Sequence, residues 1–203
     1  MRKLTRILTA ALFCAAVAAS ADASGRRRHT SLDDALGALL EHHPRVDPTA
    51  PVVLGLSPAG NGYAAVDVVV QAIEEARASV HMAAYSFTSS PIAAALVRAH
   101  DRGIDVEVVA DRKENSRSYT AANFIANHGV PTRLNGNYAI MHNKFLVIDG
   151  RNIETGSFNF TEAATKRNAE NALLLRNVPD LAAEYDREWR RLWAEAEELA
   201  PRF

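Results

Sequence analysis

From residue 52 onward, two apolar periods alternate along the chain. Val52–Leu56, Ser79–Tyr85 and Ile104–Ala110 are short apolar-rich runs bounded by polar or turn residues, which predicts strands. Between them, Ala65–Ala78 and Pro91–Arg102 carry apolar side chains at helical spacing, the second with Gly103 as its stop. A polar loop over Asp111–Ser118 then precedes a helix from about Tyr119 to Asn127, closed by His128-Gly129, and a strand near Pro131–Leu134. Phe145–Ile148 and Asn152–Thr155 read as two strands joined by Asp149-Gly150, a pair suited to a tight turn. Ala169–Leu175 is a further strand. The chain closes with an amphipathic helix from about Pro179 to Leu199, in which Leu181, Tyr185, Trp189, Leu192 and Trp193 recur at helical spacing, the aromatics as core residues. The alternation predicts an α/β domain over residues 52–200 without internal repeats.

The first 51 residues follow neither period. Arg2, Lys3 and Arg6 precede the apolar run Ile7–Ala19, and Ala21-Asp22-Ala23 offers a small-x-small cleavage site, which predicts a signal peptide over 1–23. A membrane anchor needs ~20 apolar residues, more than this run supplies. Residues 24–51 read as an arm or linker, with Arg26-Arg27-Arg28-His29, a short amphipathic stretch Leu32–Leu40 and His42-His43-Pro44. The expected location is the periplasm or the exterior. Cys14, the single cysteine, lies in the signal, so the mature chain would carry no disulfide. Three of the 23 basic and one of the 24 acidic side chains also lie there, which leaves a formal charge of −3. Attraction to a polyanion must therefore come from local patches.

Candidate chemistry is concentrated between residues 142 and 170. His142 and Lys144 stand at the mouth of the Phe145–Ile148 strand with their side chains on one face. Gly156, which has no side chain, would let Ser157 and Asn159 approach a ligand closely. A lone His-x-Lys is more often an exposed strand end, but the whole pattern here is His-x-Lys-x4-Asp-x6-Gly-Ser-x-Asn. It resembles the signature of the phospholipase D superfamily and, within it, the single-motif secreted bacterial endonucleases of the Nuc type. The likeness runs from about Val52 to Trp193 and includes Ala83–Thr88, Gly103–Val106, Glu154–Thr161 and Asn168–Asn171.

That resemblance implies a mixed β-sheet flanked by helices on both faces, and an active site where two motifs meet. With one motif per chain, it implies a homodimer with a shared site. Cleavage through a covalent intermediate needs a neutral imidazole to attack phosphorus and a protonated one to supply the leaving oxygen with a proton. By resemblance, His142 of one copy is the nucleophile and His142 of the other the acid. Lys144 and Asn159 would hold the non-bridging oxygens, with Ser157 as a further donor. Glu170 would accept a hydrogen bond from the nucleophile's other ring nitrogen, unless it is an ordinary salt-bridged strand residue. Neither a cofactor nor a metal is implied. Asp149, an odd number of positions from Lys144, points to the other side and is expected to hold the turn.

Other polar residues carry weaker signals. Arg112, Lys113 and Arg117 are candidate substrate-phosphate contacts, although Asp111 and Glu114 make a plain solvated loop equally consistent. Arg26–Arg28 and Lys166-Arg167 are comparable. His29, His42 and His43 lack the cysteines or spaced carboxylate of a metal site and fit a solvated arm better. His81 is expected in the core or at a strand end, and His100 and His128 at helix termini. Three functions fit: a non-specific endonuclease on DNA, with RNA as a second polymer; a phospholipase D acting on phospholipid head groups; and a non-catalytic module that holds phosphate polymers. The intact set from His142 to Glu170 argues against the third.

Overall fold

A computed structural model describes residues 45–117 and 120–201. The predicted signal peptide, the basic and histidine-bearing part of the arm through Pro44, and the expected helix start at Tyr119 lie outside the described residues. Nine strands form one sheet: β1 (Val52–Ser57), β2 (Tyr63–Ala64), β3 (Ser79–Ala84), β4 (Asp105–Asp111), β5 (Thr132–Asn135), β6 (Lys144–Ile148), β7 (Asn152–Gly156), β8 (Glu170–Leu175) and β9 (Glu197–Glu198). Their order is β2-β1-β8-β7-β6-β3-β4-β5-β9. The pairs β3·β4 and β4·β5 are parallel, whereas β6 is antiparallel to β3 and begins a meander through β7 and β8 to β1. This is the mixed α/β sheet that the resemblance implies.

Six helices belong to the described residues: α1 (Ala65–Glu74), α2 (Ser90–Asp101), α3 (Arg112–Asn115), α4 (Ala121–Asn127), α5 (Glu162–Lys166) and α6 (Pro179–Ala194). Strand periodicity divides the core in two. Val80, Met82 and Ala84 of β3 with Val106 and Val108 of β4 pack among α1, α2 and α4. Ala83, Val109, Phe145, Val147 and Ile153 face the other way, onto Trp189 and Leu192 of α6. The Trp189 indole donates to Met82 O at 3.0 Å, which satisfies its N–H within the core.

Tertiary contacts adjust several boundaries. The last helix stops at Ala194 instead of continuing to Leu199, because the chain returns as β9 beside Arg133 and Leu134 of β5. The predicted loop after β4 contains α3, capped by Asp111, whose carboxylate accepts Glu114 N at 2.9 Å. Val46, from the end of the predicted arm, is buried in the core.

The β6–β7 turn matches its sequence. Asp149 and Gly150 both have positive φ, 54° and 60°, in a turn closed by Arg151 N donating to Ile148 O at 3.1 Å, and with Arg151 they connect the paired Ile148 and Asn152. The Asp149 carboxylate accepts the backbone N–H groups of Arg77, Ala78 and Ser79 at 2.7–3.1 Å. It lies at the opposite end of β6 from Lys144.

Candidate active site

The candidate residues meet at one end of the sheet. In register, Lys144 at the start of β6 lies beside Ala84 at the end of β3, while β7 finishes at Gly156 and β8 begins at Glu170. Between them is a hollow of about 590 Å³ lined by His142, Lys144, Ser157, Asn159 and Glu170. Tyr185, Glu184 and Glu188 of α6 complete its rim.

His142 is exposed, with its ring edge against Tyr85 at 4.5 Å between centroids. Lys144, only 8% exposed, donates from Nζ to His142 O at 2.6 Å and stands 5.0 Å from the Tyr85 ring. Burial pulls the Lys144 amine below the ordinary lysine range, with the Glu170 charge opposing it. The strand's alternation thus delivers a partly desolvated cation beside an accessible imidazole.

The segment after β7 sorts its side chains by polarity. Phe158 and Phe160 are buried, packed edge to face at 6.4 Å, and leave Ser157 and Asn159 at the hollow. Phe160 O accepts the N–H groups of Thr88 and Ser89, both at 2.9 Å, which ties this segment to the end of β3. Gly156 is required sterically, since a Cβ there would stand 2.2 Å from Asn171 O. Ser157 Oγ donates to Glu170 Oε2 at 2.6 Å and accepts from Asn171 N at 3.1 Å. Asn168 Nδ2 donates to the other Glu170 oxygen at 3.0 Å. Within the chain, Glu170 is therefore engaged by Ser157 and Asn168, and the bond to a histidine ring is not made. Asn159 Oδ1 is buried with no hydrogen-bond partner, an uncommon state for a buried amide. That oxygen is an acceptor, and the Asn159 side chain lines the hollow.

The loop after β4 occupies the same end of the sheet, and its charged residues part company. Arg112 pairs with Glu197 at 2.8 Å and donates to Leu134 O at 3.3 Å, facing a second hollow. Lys113 and Arg117 are exposed. Sequence reasoning missed the buried members of this loop: Asp111 Oδ2 accepts Met141 N at 2.8 Å, and Asn115 Nδ2 donates to Tyr85 O at 2.7 Å. These two brace the backbone on either side of the imidazole. Their only sequence signal is placement at a strand end, and Tyr185, expected in the core, instead shares the hollow while packing on Phe145.

A cationic side chain, an imidazole, a hydroxyl and an amide gathered at the end of central strands suit an anionic ligand, and comparison with known proteins places the chain further. Residues 69–193 match the family described as cardiolipin synthase, PLD-like domain. Among solved structures, a phospholipase D family member, Nuc from Salmonella typhimurium, superposes with a TM-score of 0.70 at 41% identity, over 73% of this chain and 97% of that one. A phospholipase D of Rickettsia bellii is 36% identical over 121 residues, 60% of this chain and 60% of that protein. A mitochondrial cardiolipin hydrolase of Xenopus tropicalis is 33% identical over 120 residues, covering 59% of this chain and 57% of that protein. The match therefore spans under two thirds of the length of these last two relatives. The chain belongs to the phospholipase D superfamily.

Proposed function

We propose that the protein is a metal-independent nuclease that cleaves phosphodiesters through a phosphohistidine, as a homodimer with one shared site. The observation that carries this reading is the hollow itself, where one exposed imidazole, a largely buried lysine and the Asn159 side chain converge. In the reaction, a ring nitrogen of His142 attacks phosphorus and the bond to the leaving oxygen breaks. The protonated His142 of a second copy supplies the proton that oxygen takes. That second imidazole, now neutral, removes a proton from water, which attacks phosphorus and releases the first histidine. Lys144 and Asn159 offset charge on the non-bridging oxygens as phosphorus becomes five-coordinate.

A dimer is supported by an apolar row that runs to this site. Val52, Leu54 and Leu56, alternate residues of β1, are 55%, 50% and 42% exposed. Leu175 and Leu173 of β8 lie directly opposite Val52 and Leu54, and the next pair joins Leu56 to Asn171, whose amide donates to Ser157 Oγ. A second copy packed along this row would bring its own His142 near the first.

Nucleic acid is favoured as substrate because the likeness to Nuc spans 97% of that chain, together with the resemblance to single-motif endonucleases. Lys113 and Arg117 would contact backbone phosphates beyond the hollow, joined by Arg112 on release from Glu197. Phospholipid is the second reading: Tyr138 and Ile140, just before His142, are 40% and 48% exposed, and the relatives include a phospholipase D and a cardiolipin hydrolase. Among the described residues, no helix is long and apolar enough to cross a membrane. The amino-terminal sequence extends the proposal to a periplasmic or secreted location.

The test offers plasmid DNA and phospholipid vesicles in parallel, in excess chelator, to the wild type and to His142→Ala. DNA cleavage that the substitution abolishes is the expected result. Head-group release with intact plasmid would establish the phospholipase reading, and strict dependence on added metal would overturn the mechanism.

A further inference from the structure

A second cluster of titratable groups, unused by phosphodiester cleavage, gathers toward the other end of β3. His81 is 8% exposed on the α6 side of the sheet and lies flat against the Trp189 indole, with ring centroids 4.2 Å apart. Its Nδ1 is 2.6 Å from Asp186 Oδ1, so Nδ1 carries a proton toward that carboxylate and, on the neutral ring, Nε2 is a lone pair. Nε2 looks toward β4, where Glu107 stands directly across from His81 and Asp105 is two positions away on the same face. The distance from Nε2 to Glu107 Oε2 is 3.7 Å. That is too long for a hydrogen bond and near the ~3.4 Å edge of a tetrahedron whose bonds are about 2.1 Å. The ligand atoms of His81, Asp105 and Glu107 lie within 4.8 Å of one another.

We propose that His81, Glu107 and Asp105 bind a divalent transition-metal ion of the zinc class, with Asp186 as the outer carboxylate that orients the imidazole. Three protein ligands leave a coordination position for water, and a carboxylate on the far ring nitrogen is the usual support for a metal-bound histidine. The surrounding charge suits a cation. Three carboxylates face the Arg133 and Arg190 guanidiniums, whose fields reach Glu107. Arg133 is held over the Trp193 ring and on Trp193 O, and Arg190 is held on Asp186. Because Asp186 belongs to α6 and the three ligands to β3 and β4, the ion would fasten that helix to the sheet. This site is independent of the His142 chemistry at the other end of β3.

The experiment is isothermal titration of the full chain with ZnCl2, alongside thermal unfolding with and without Zn²⁺. Wild type is compared with His81→Gln and Glu107→Gln. His29, His42, His43 and His142 are the same in all three proteins and set a constant background. Wild type should bind one more equivalent than either variant and should alone show a Zn²⁺-dependent rise in melting temperature. At a free concentration one hundred times the dissociation constant, the folded-to-unfolded ratio should rise about 100-fold. Asp186→Asn should keep the stoichiometry and weaken binding about 10–100-fold. Glu107→Gln is nearly isosteric at a half-buried position and stays informative if the His81 variant does not fold. Equal stoichiometry in wild type and Glu107→Gln, or a melting rise shared by both, would overturn the proposal.

Discussion

Glu154 sits in the middle of β7 between Leu146 of β6 and Leu174 of β8, both part of the core beneath α1 and α2. It is 1% exposed and its Oε2 has no hydrogen-bond partner. Burial alone pushes its pKa from the ordinary 4.5 up to about 8. The carboxyl is therefore protonated in the fold at neutral pH and ionised in the unfolded chain. Below pH 4.5 both states hold the proton and there is no penalty. Between pH 4.5 and 8 the folded state holds more protons than the unfolded one, so stability falls as pH rises, and above pH 8 the loss is complete. A difference of this size corresponds to roughly 5 kcal/mol at about 1.4 kcal/mol per unit, comparable to a small domain's whole stability of about 5–15 kcal/mol. Glu154→Gln removes the titration while keeping the shape. Urea unfolding of both proteins at intervals from pH 4 to pH 9 should give curves that coincide in acid and separate progressively toward pH 8, with the variant more stable. Parallel curves across that range would refute the reasoning, because they would mean that Glu154 ionises equally in both states.

Three further outcomes follow from contacts around the site. Gly156→Ala must move β7 from β8 to relieve a Cβ placed 2.2 Å from Asn171 O; overpacking of this kind costs about 1–3 kcal/mol, and a displacement near 1 Å costs roughly 10²-fold in turnover, both measurable by urea unfolding and initial rates. Asp111→Ala orphans the buried Met141 N–H, which should lower stability by about 1–3 kcal/mol and reduce kcat, whereas unchanged kcat would show that this bond does not position His142. Leu54→Glu places a charge in the exposed apolar row of β1 and should convert the proposed dimer to monomer in sedimentation, with activity lost in proportion; full activity as a monomer would defeat the shared-site mechanism.

Much of this arrangement was legible because it depends on local periodicity. The short apolar runs gave β3, β4, β6 and β7, and Asp149-Gly150 gave the turn between the last two. The spacing from His142 to Asn159 brought its residues to one hollow because Phe158 and Phe160 must enter the core and so send Ser157 and Asn159 outward. What could not be read were pairings set by distant segments. Glu197 and Glu198 give no strand signal and form β9 only because β5 offers a free edge. Arg112 pairs with Glu197, from the other end of the domain, a partner that nothing near it in sequence reveals. His81 alternates with apolar neighbours as a core residue would, and nothing near it in sequence reveals Asp186 on the helix that covers it.

The three backbone N–H groups gathered by Asp149 bear on how the motif keeps its meaning. They belong to the segment entering β3, so the carboxylate fixes where the end of β6 lies against the start of that strand. Side chains on a strand alternate sides, and a slip of one residue would send Lys144 to the opposite side of the sheet while turning Phe145 and Val147 toward α1 and α2. An aspartate at the far end of β6 from Lys144 thereby favours one of two possible alignments of that strand, and loosening it would yield a mixture of chains with the lysine inside or outside the hollow.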